Sequence, residues 1–180
     1  MNPTEHSPMS ILMSSRELLD RYAAGKRGFI GVNLQGADLR GALLNSILLW
    51  QANLKCANLS GADFSNSHLF ANLSQANLSR ANLSNAKLIY ADLRKADLTC
   101  AKLFKTTLKG ADLQGADLRG AKLIYTDLEG ANLKGANLSG VILFAVNLNQ
   151  ANLVGNDLSH TTLIKTEIKS AILSESKPIE

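Results

Sequence analysis

Leucine recurs every five residues along most of this 180-residue chain. From Leu34 it falls at 39, 44, 49, 54 and 59, followed by Phe64 and Leu69; the series then runs from Leu73 to Leu163, Ile168 and Leu173. With Phe29 there are 30 such positions, and 27 of the 32 leucines lie on them, so the spacing organises the whole sequence. A helix repeats its apolar face about every 3.6 residues and a half-buried strand every second residue, and neither produces a period of five. Two residues before the centre, 19 of the 30 sites are Ala; the site between is usually Asn or Asp, and Gly is common two residues after. Such a unit sends two side chains inward and three outward, with the leucine filling the interior and the alanine where space is tight. The Asn or Asp faces water, and Gly suits a turn that needs positive φ. A five-residue unit cannot bury its leucine alone, so successive units must coil and stack.

Runs such as Ala71-Asn72-Leu73-Ser74-Gln75 and Ala111-Asp112-Leu113-Gln114-Gly115 resemble the A(D/N)LXX motif of pentapeptide-repeat proteins, a family common in cyanobacteria and other bacteria. The resemblance covers about residues 29–174. It implies an all-β solenoid: a right-handed quadrilateral β-helix with four pentapeptides per coil. Thirty units then give about 7.5 coils, a rod roughly 36 Å long at ~4.8 Å per coil. One unit, Ser67-His68-Leu69-Phe70, has only four residues. It reads as a tightened corner, with a functional kink as the other reading.

Ahead of the repeats, Ser14-Ser15-Arg16-Glu17 fits a capping box, and Leu18, Leu19, Tyr22 and Ala23 follow at helical spacing up to Gly25. This predicts a short helix near 15–24 that covers the open first coil. The chain therefore divides into a flexible N-terminal segment (1–13), in which Met9, Ile11, Leu12 and Met13 could still pack locally, a capping helix (14–28), the β-helix (29–174) and a C-terminal tail (175–180).

Little in the sequence points to catalysis. His6, His68 and His160 are scattered, and no Ser/His/Asp or Cys/His set has a reason to converge. Gly110, Gly115 and Gly120 belong to the repeat rather than to a phosphate turn. Cys56 and Cys100 are lone thiols, which argues against a zinc site or disulfide scaffold and for a reduced cytoplasm. No cofactor or metal is expected. The residues before Met13 lack a basic region followed by an apolar one, so no secretion signal is expected. The most apolar stretch, Gly41–Trp50, is about half of what a bilayer span needs, so membrane insertion is not expected. Thr106, Thr126 and Thr166 share an inner column, where their hydroxyls can satisfy backbone groups; Asn156 departs from the Ala pattern near the end of the rod.

Sorting the units by fours gives four sides. On two of them the residue before the leucine is Asn or Asp, from Asn33 to Asn152 on one and from Asp38 to Asp157 on the other. On the others, apolar residues follow the centre: Ile30, Trp50, Phe70 and Ile89 on one, Phe104, Ile124, Phe144 and Ile164 on the next. Tyr90 and Tyr125 lie beside these columns, and Lys87, Lys102, Lys105, Lys122 and Lys165 flank them. Two readings stand. Like residues in adjacent coils stack and stabilise the rod, or the ladder is an interaction surface, since soluble monomers seldom expose long apolar patches. The function expected is a non-catalytic protein-interaction scaffold, with a regulatory role, a protein partner and room for a homodimer. The alternative, implied by the resemblance to pentapeptide-repeat proteins, some of which act this way, is a DNA mimic acting on a type II topoisomerase, which wants an acidic rod. Here 14 Lys and Arg stand against 10 Asp and Glu in the repeats, a net of +4, and the dispersed cations do not favour nucleic-acid binding either.

Overall fold

A computed structural model describes residues 11–173. Its backbone is explained almost entirely by one unit repeated. The residue before a central leucine pairs in parallel with its counterpart one coil later along nearly the whole rod, as in Asn33↔Asn53, Asp38↔Asn58 and Leu43↔Asp63. That spacing of 20 means four units per turn, hence a four-sided coil. Bridges that span the short unit are spaced by 19, as in Asn53↔Asn72 and Asp63↔Asn82, and the spacing returns to 20 from Asn72↔Asp92 onward. The missing residue is thus absorbed at one corner without disturbing the stack.

Within a unit the backbone donors are accounted for one by one. The leucine N–H donates to the next coil (Leu34 N to Asn53 O, 2.8 Å), and so does the N–H two residues on (Gly36 N to Lys55 O, 2.9 Å). The residue before the leucine donates to the previous coil (Asn53 N to Val32 O, 2.9 Å). The following alanine N–H closes the corner back onto the leucine carbonyl (Ala57 N to Leu54 O, 3.0 Å), with the residue before that alanine in the left-handed region: Cys56 has φ 58°. This is the type II arrangement. One donor remains, the N–H directly after the leucine. The Asn or Asp side chain before the leucine accepts it, as in Lys55 N to Asn53 Oδ1 (3.2 Å) and Ser79 N to Asn77 Oδ1 (3.0 Å). The Asn/Asp rule of the sequence is therefore more than a preference for water: those side chains are half-buried clasps.

The interior is one continuous cluster of the central leucines and the alanines two before them, with Phe29 and Phe64 also on central positions. On the side that runs from Leu44 to Leu163, three longer strands form a parallel sheet: β3 (Lys122–Ile124), β4 (Ile142–Phe144) and β5 (Thr162–Ile164). At the corner that ends each of these strands, the inward alanine of the following unit is replaced by Thr126, Val146 or Thr166. β-Branched residues crowd a tight corner and favour extended backbone, so the chain opens into strand. As the sequence anticipates, the threonine hydroxyls donate to carbonyls one coil back: Thr106 to Leu83 O (2.8 Å), Thr126 to Leu103 O (2.6 Å) and Thr166 to Leu143 O (2.9 Å). Thr126→Val keeps the shape and removes the donor. It is expected to destabilise by about 1 kcal/mol, whereas half-buried Thr107→Val stays within about 0.5 kcal/mol; urea unfolding of the two variants checks this. Asn156 uses the same inward position to donate from Nδ2 to Ala136 O (3.0 Å).

At the N-terminal end β1 (Ile11–Leu12) pairs in parallel with β2 (Val32–Asn33), and Met13 is buried and donates to Asn33 O. Residues 11–13 are thus tied to the rod rather than flexible, because a strand laid on the first coil pairs groups that would otherwise stand open. Helix α1 (Ser15–Ala23) starts at Ser14, whose Oγ accepts from Glu17 N (3.1 Å). It ends in a Schellman motif at Gly25, with Lys26 N bonded to Arg21 O and Gly25 N to Tyr22 O. Leu18 is fully buried in the rod's core, and Tyr22 donates its hydroxyl to Asn45 O (2.7 Å). The expected tail at 175–180 and residues 1–10 lie outside the described residues.

Candidate interaction surface

All eight apolar residues that follow a central residue on the two non-polar sides share a local cause. The position two residues before each of them is Gly28, Leu48, His68, Lys87, Lys102, Lys122, Ile142 or Thr162, never Asn or Asp. These corners lack the side-chain clasp, and large apolar side chains occupy them instead. The rings do stack between coils, in two clusters. Trp50 lies 5.7 Å from Phe70, and His68 stacks on Trp50 at 6.2 Å with the planes 8° apart. Farther along, Tyr125 stands edge-on between Phe104 (6.0 Å) and Phe144 (5.7 Å). Among the described residues no ring contact joins the clusters. The continuous ladder read from the sequence is therefore two patches on neighbouring sides.

Stacking does not hide them. Trp50 remains 42% exposed, Phe104 40%, Tyr125 52% and Tyr90 77%. Ile30 and Ile164 are also exposed, whereas Phe70, Ile89, Ile124 and Phe144 are half-buried. Stacking of this kind stabilises the rod modestly, and each aromatic pair contributes about 0.5–1.5 kcal/mol.

The short unit shapes the first patch. With one residue missing after Phe70, the corner is cut back and leaves a groove of about 590 Å³. Ala52 and Ala71 floor it; Phe70, Ile89 and Tyr90 wall it; Asn53, Asn72 and Asp92 line its edge. Ala71 is correspondingly less covered than Ala52 and Ala91. The four-residue break is visible in the sequence, but the groove it opens is not, since that depends on which side chains flank the corner in neighbouring coils.

The charges around the patches are mostly settled within the chain. Arg94 holds the Asp92 carboxyl below the usual range through a 2.6 Å bond, and Arg119 and Arg40 do the same for Asp117 and Asp38. Burial among the rings, with Lys87 nearby, pushes His68 below the usual histidine range, which keeps its imidazole neutral for stacking. Among the described residues there is no cluster of three or more His, Cys, Asp or Glu placed to hold a metal, and no helix long and apolar enough to cross a membrane.

A four-sided parallel coil with one leucine per corner-to-corner unit defines a solenoid repeat protein. The pentapeptide-repeat family profile matches residues 29–69, 70–103, 101–140 and 142–177 in eight copies, and the chain belongs to that family. Its members fold as right-handed quadrilateral β-helices and are generally non-enzymatic structural or interaction proteins. The chain is similar in fold to QnrB1, a plasmid-mediated fluoroquinolone resistance protein: TM-score 0.52, 16% identity, covering 78% of this chain and 90% of that one. It is 31% identical to HetL, a pentapeptide-repeat protein involved in heterocyst differentiation regulation in the cyanobacterium Nostoc, over 92% of this chain and 99% of that one, with TM-score 0.36. A thylakoid-lumen pentapeptide-repeat protein of Arabidopsis thaliana is 32% identical over 56% of this chain and 63% of its own, with TM-score 0.26. The curated protein sequences gave no match.

Proposed function

We propose that this chain is a cytoplasmic, non-catalytic interaction scaffold with a regulatory role, whose two outward apolar patches are its contact surface for another protein. The rod of about 7.5 coils supplies rigidity, and α1 closes its first coil. The observation that carries the reading is Tyr90, 77% exposed beside an apolar groove that the fold does not need. Aromatic side chains held rigidly at a surface lose little entropy on binding and suit the centre of a protein interface. A second copy is one candidate partner, because Leu163 and Leu173, on central positions, are 43% and 59% exposed in the last described coil. The DNA-mimic alternative is disfavoured by the repeat region's net charge of +4.

The test combines stability with binding. Phe104→Ala with Phe144→Ala is expected to lower unfolding free energy by only about 1–3 kcal/mol. The same variant should weaken binding of a partner captured from the source cell at least about tenfold. A stability loss with partner binding and self-association unchanged means that the rings serve stacking alone. Light scattering on the same samples shows whether the partner is a second copy.

A further inference from the structure

We propose that the patch around Phe104, Tyr125 and Phe144 takes an acidic polypeptide segment carrying aromatic or aliphatic anchors. This rests on the interface reading above and adds the partner's chemistry. Three of the four arginines on the polar sides are internally neutralised: Arg40, Arg94 and Arg119 each pair with an Asp two residues earlier, whereas Arg80 makes no ion pair among the described residues. The four lysines at this patch are not neutralised. Among the described residues, Lys102, Lys105, Lys122 and Lys165 have no carboxylate within ion-pair distance. Lys102 and Lys122 are exposed and directly bridged on adjacent coils, a like-charge pairing that works against the rod's own stability. Lys105 and Lys165 sit at 5.3 and 5.9 Å from the Phe104 and Phe144 ring centroids, so positive charge and exposed ring surface are presented together. Beside them, Ile124 and Ile142 border a trough of about 300 Å³ whose other wall is lowered by Gly120 and Gly140. It offers room for an apolar side chain.

The neighbouring side decides what kind of anion fits. It carries Asp127, Glu129 and Glu167, engaged by Asn147, Lys109 and Asn149 respectively. A bilayer or nucleic-acid duplex broad enough to cover both sides brings its phosphates against these carboxylates. A single polypeptide segment, about 10 Å wide as a helix, stays over the lysine-bearing side. Charge complementarity thus selects an acidic peptide over a phosphate surface.

The experiment measures binding of the whole protein to four probes: a random glutamate–tyrosine copolymer, polyglutamate, phosphatidylglycerol-containing vesicles and a DNA duplex. The expected result is copolymer binding at least about tenfold tighter than polyglutamate binding, weakening roughly tenfold from about 0.05 to about 0.5 M salt. Lys102→Glu with Lys122→Glu, and separately Phe104→Ser with Phe144→Ser, should each reduce it at least about tenfold, with circular dichroism confirming the fold. No copolymer binding, or tighter binding to vesicles or DNA, overturns the proposal. If the phenylalanine variant weakens binding and the charge reversal does nothing, the acidic-partner proposal fails and the apolar interface stands. The reverse pattern removes the apolar interface, and this proposal with it.

Discussion

A single glycine inserted between Phe70 and Ala71 leaves the rod folded and fills the groove beside Tyr90, whereas the same insertion between Asp97 and Leu98 destroys the stack. The first site is the corner where bridges are spaced by 19 instead of 20. Adding a residue there restores the left-handed corner position that other units fill with residues such as Gln51 (φ 57°) and Tyr90 (φ 55°), and glycine takes that conformation without strain. The second site lies inside a flat side, where Ala96 and Leu98 point inward on either side of Asp97. An extra residue there turns Leu98 outward or Asp97 inward, because side chains alternate across a strand. We expect thermal unfolding of the first variant to stay within a few degrees of the parent, and partner contacts at the groove to be lost. The second should lose about 3 kcal/mol or more, from a buried carboxylate and a displaced leucine. Equal destabilisation by both insertions is incompatible with the short unit being a cut-back corner.

Replacing a mid-rod central leucine such as Leu108 has a large expected effect. Leu108 is fully buried at mid-rod, in one column with Leu88 and Leu128. Leu108→Ala removes its contacts above and below and is expected to cost about 2–5 kcal/mol. Leu108→Asp adds an unpaired carboxylate to a dry interior and should abolish cooperative folding at neutral pH. At the exposed end, Leu173→Ala should change stability by less than about 1 kcal/mol, although it occupies the same repeat position. Urea unfolding followed by circular dichroism separates these outcomes. A loss below about 1 kcal/mol for Leu108→Ala would contradict the stacked-leucine core.

The period of five made the coil legible because it prescribes chemistry twice per unit: a leucine that must be buried and an alanine that must be small. The inward hydroxyls of Thr106 and Thr126 were readable for the same reason, since a polar group in an apolar column needs a partner. The capping box at Ser14–Glu17 placed the helix within one residue of its end. Less visible was why Asn and Asp precede the leucine. Their role as clasps for the next N–H but one depends on the corner geometry, which composition does not reveal. That clasp also explains the apolar patches, for Trp50, Phe70, Phe104 and Phe144 all stand at corners without it. The apolar residues Ile11–Met13 offered local packing, which Met13 shows, but not the strand pairing that holds Ile11 and Leu12 while their side chains stay exposed.

Hydroxyl-radical footprinting of the protein, free and bound to its purified partner, tests the central claim most directly. Oxidation of Trp50, Phe70 and Tyr90, of Phe104, Tyr125 and Phe144, or of both sets is expected to fall on binding, while Cys56, exposed on an Asn- and Asp-bearing side, is unchanged. Unchanged oxidation of all six aromatic residues, with protection confined to the Asn- and Asp-bearing sides, would contradict that claim.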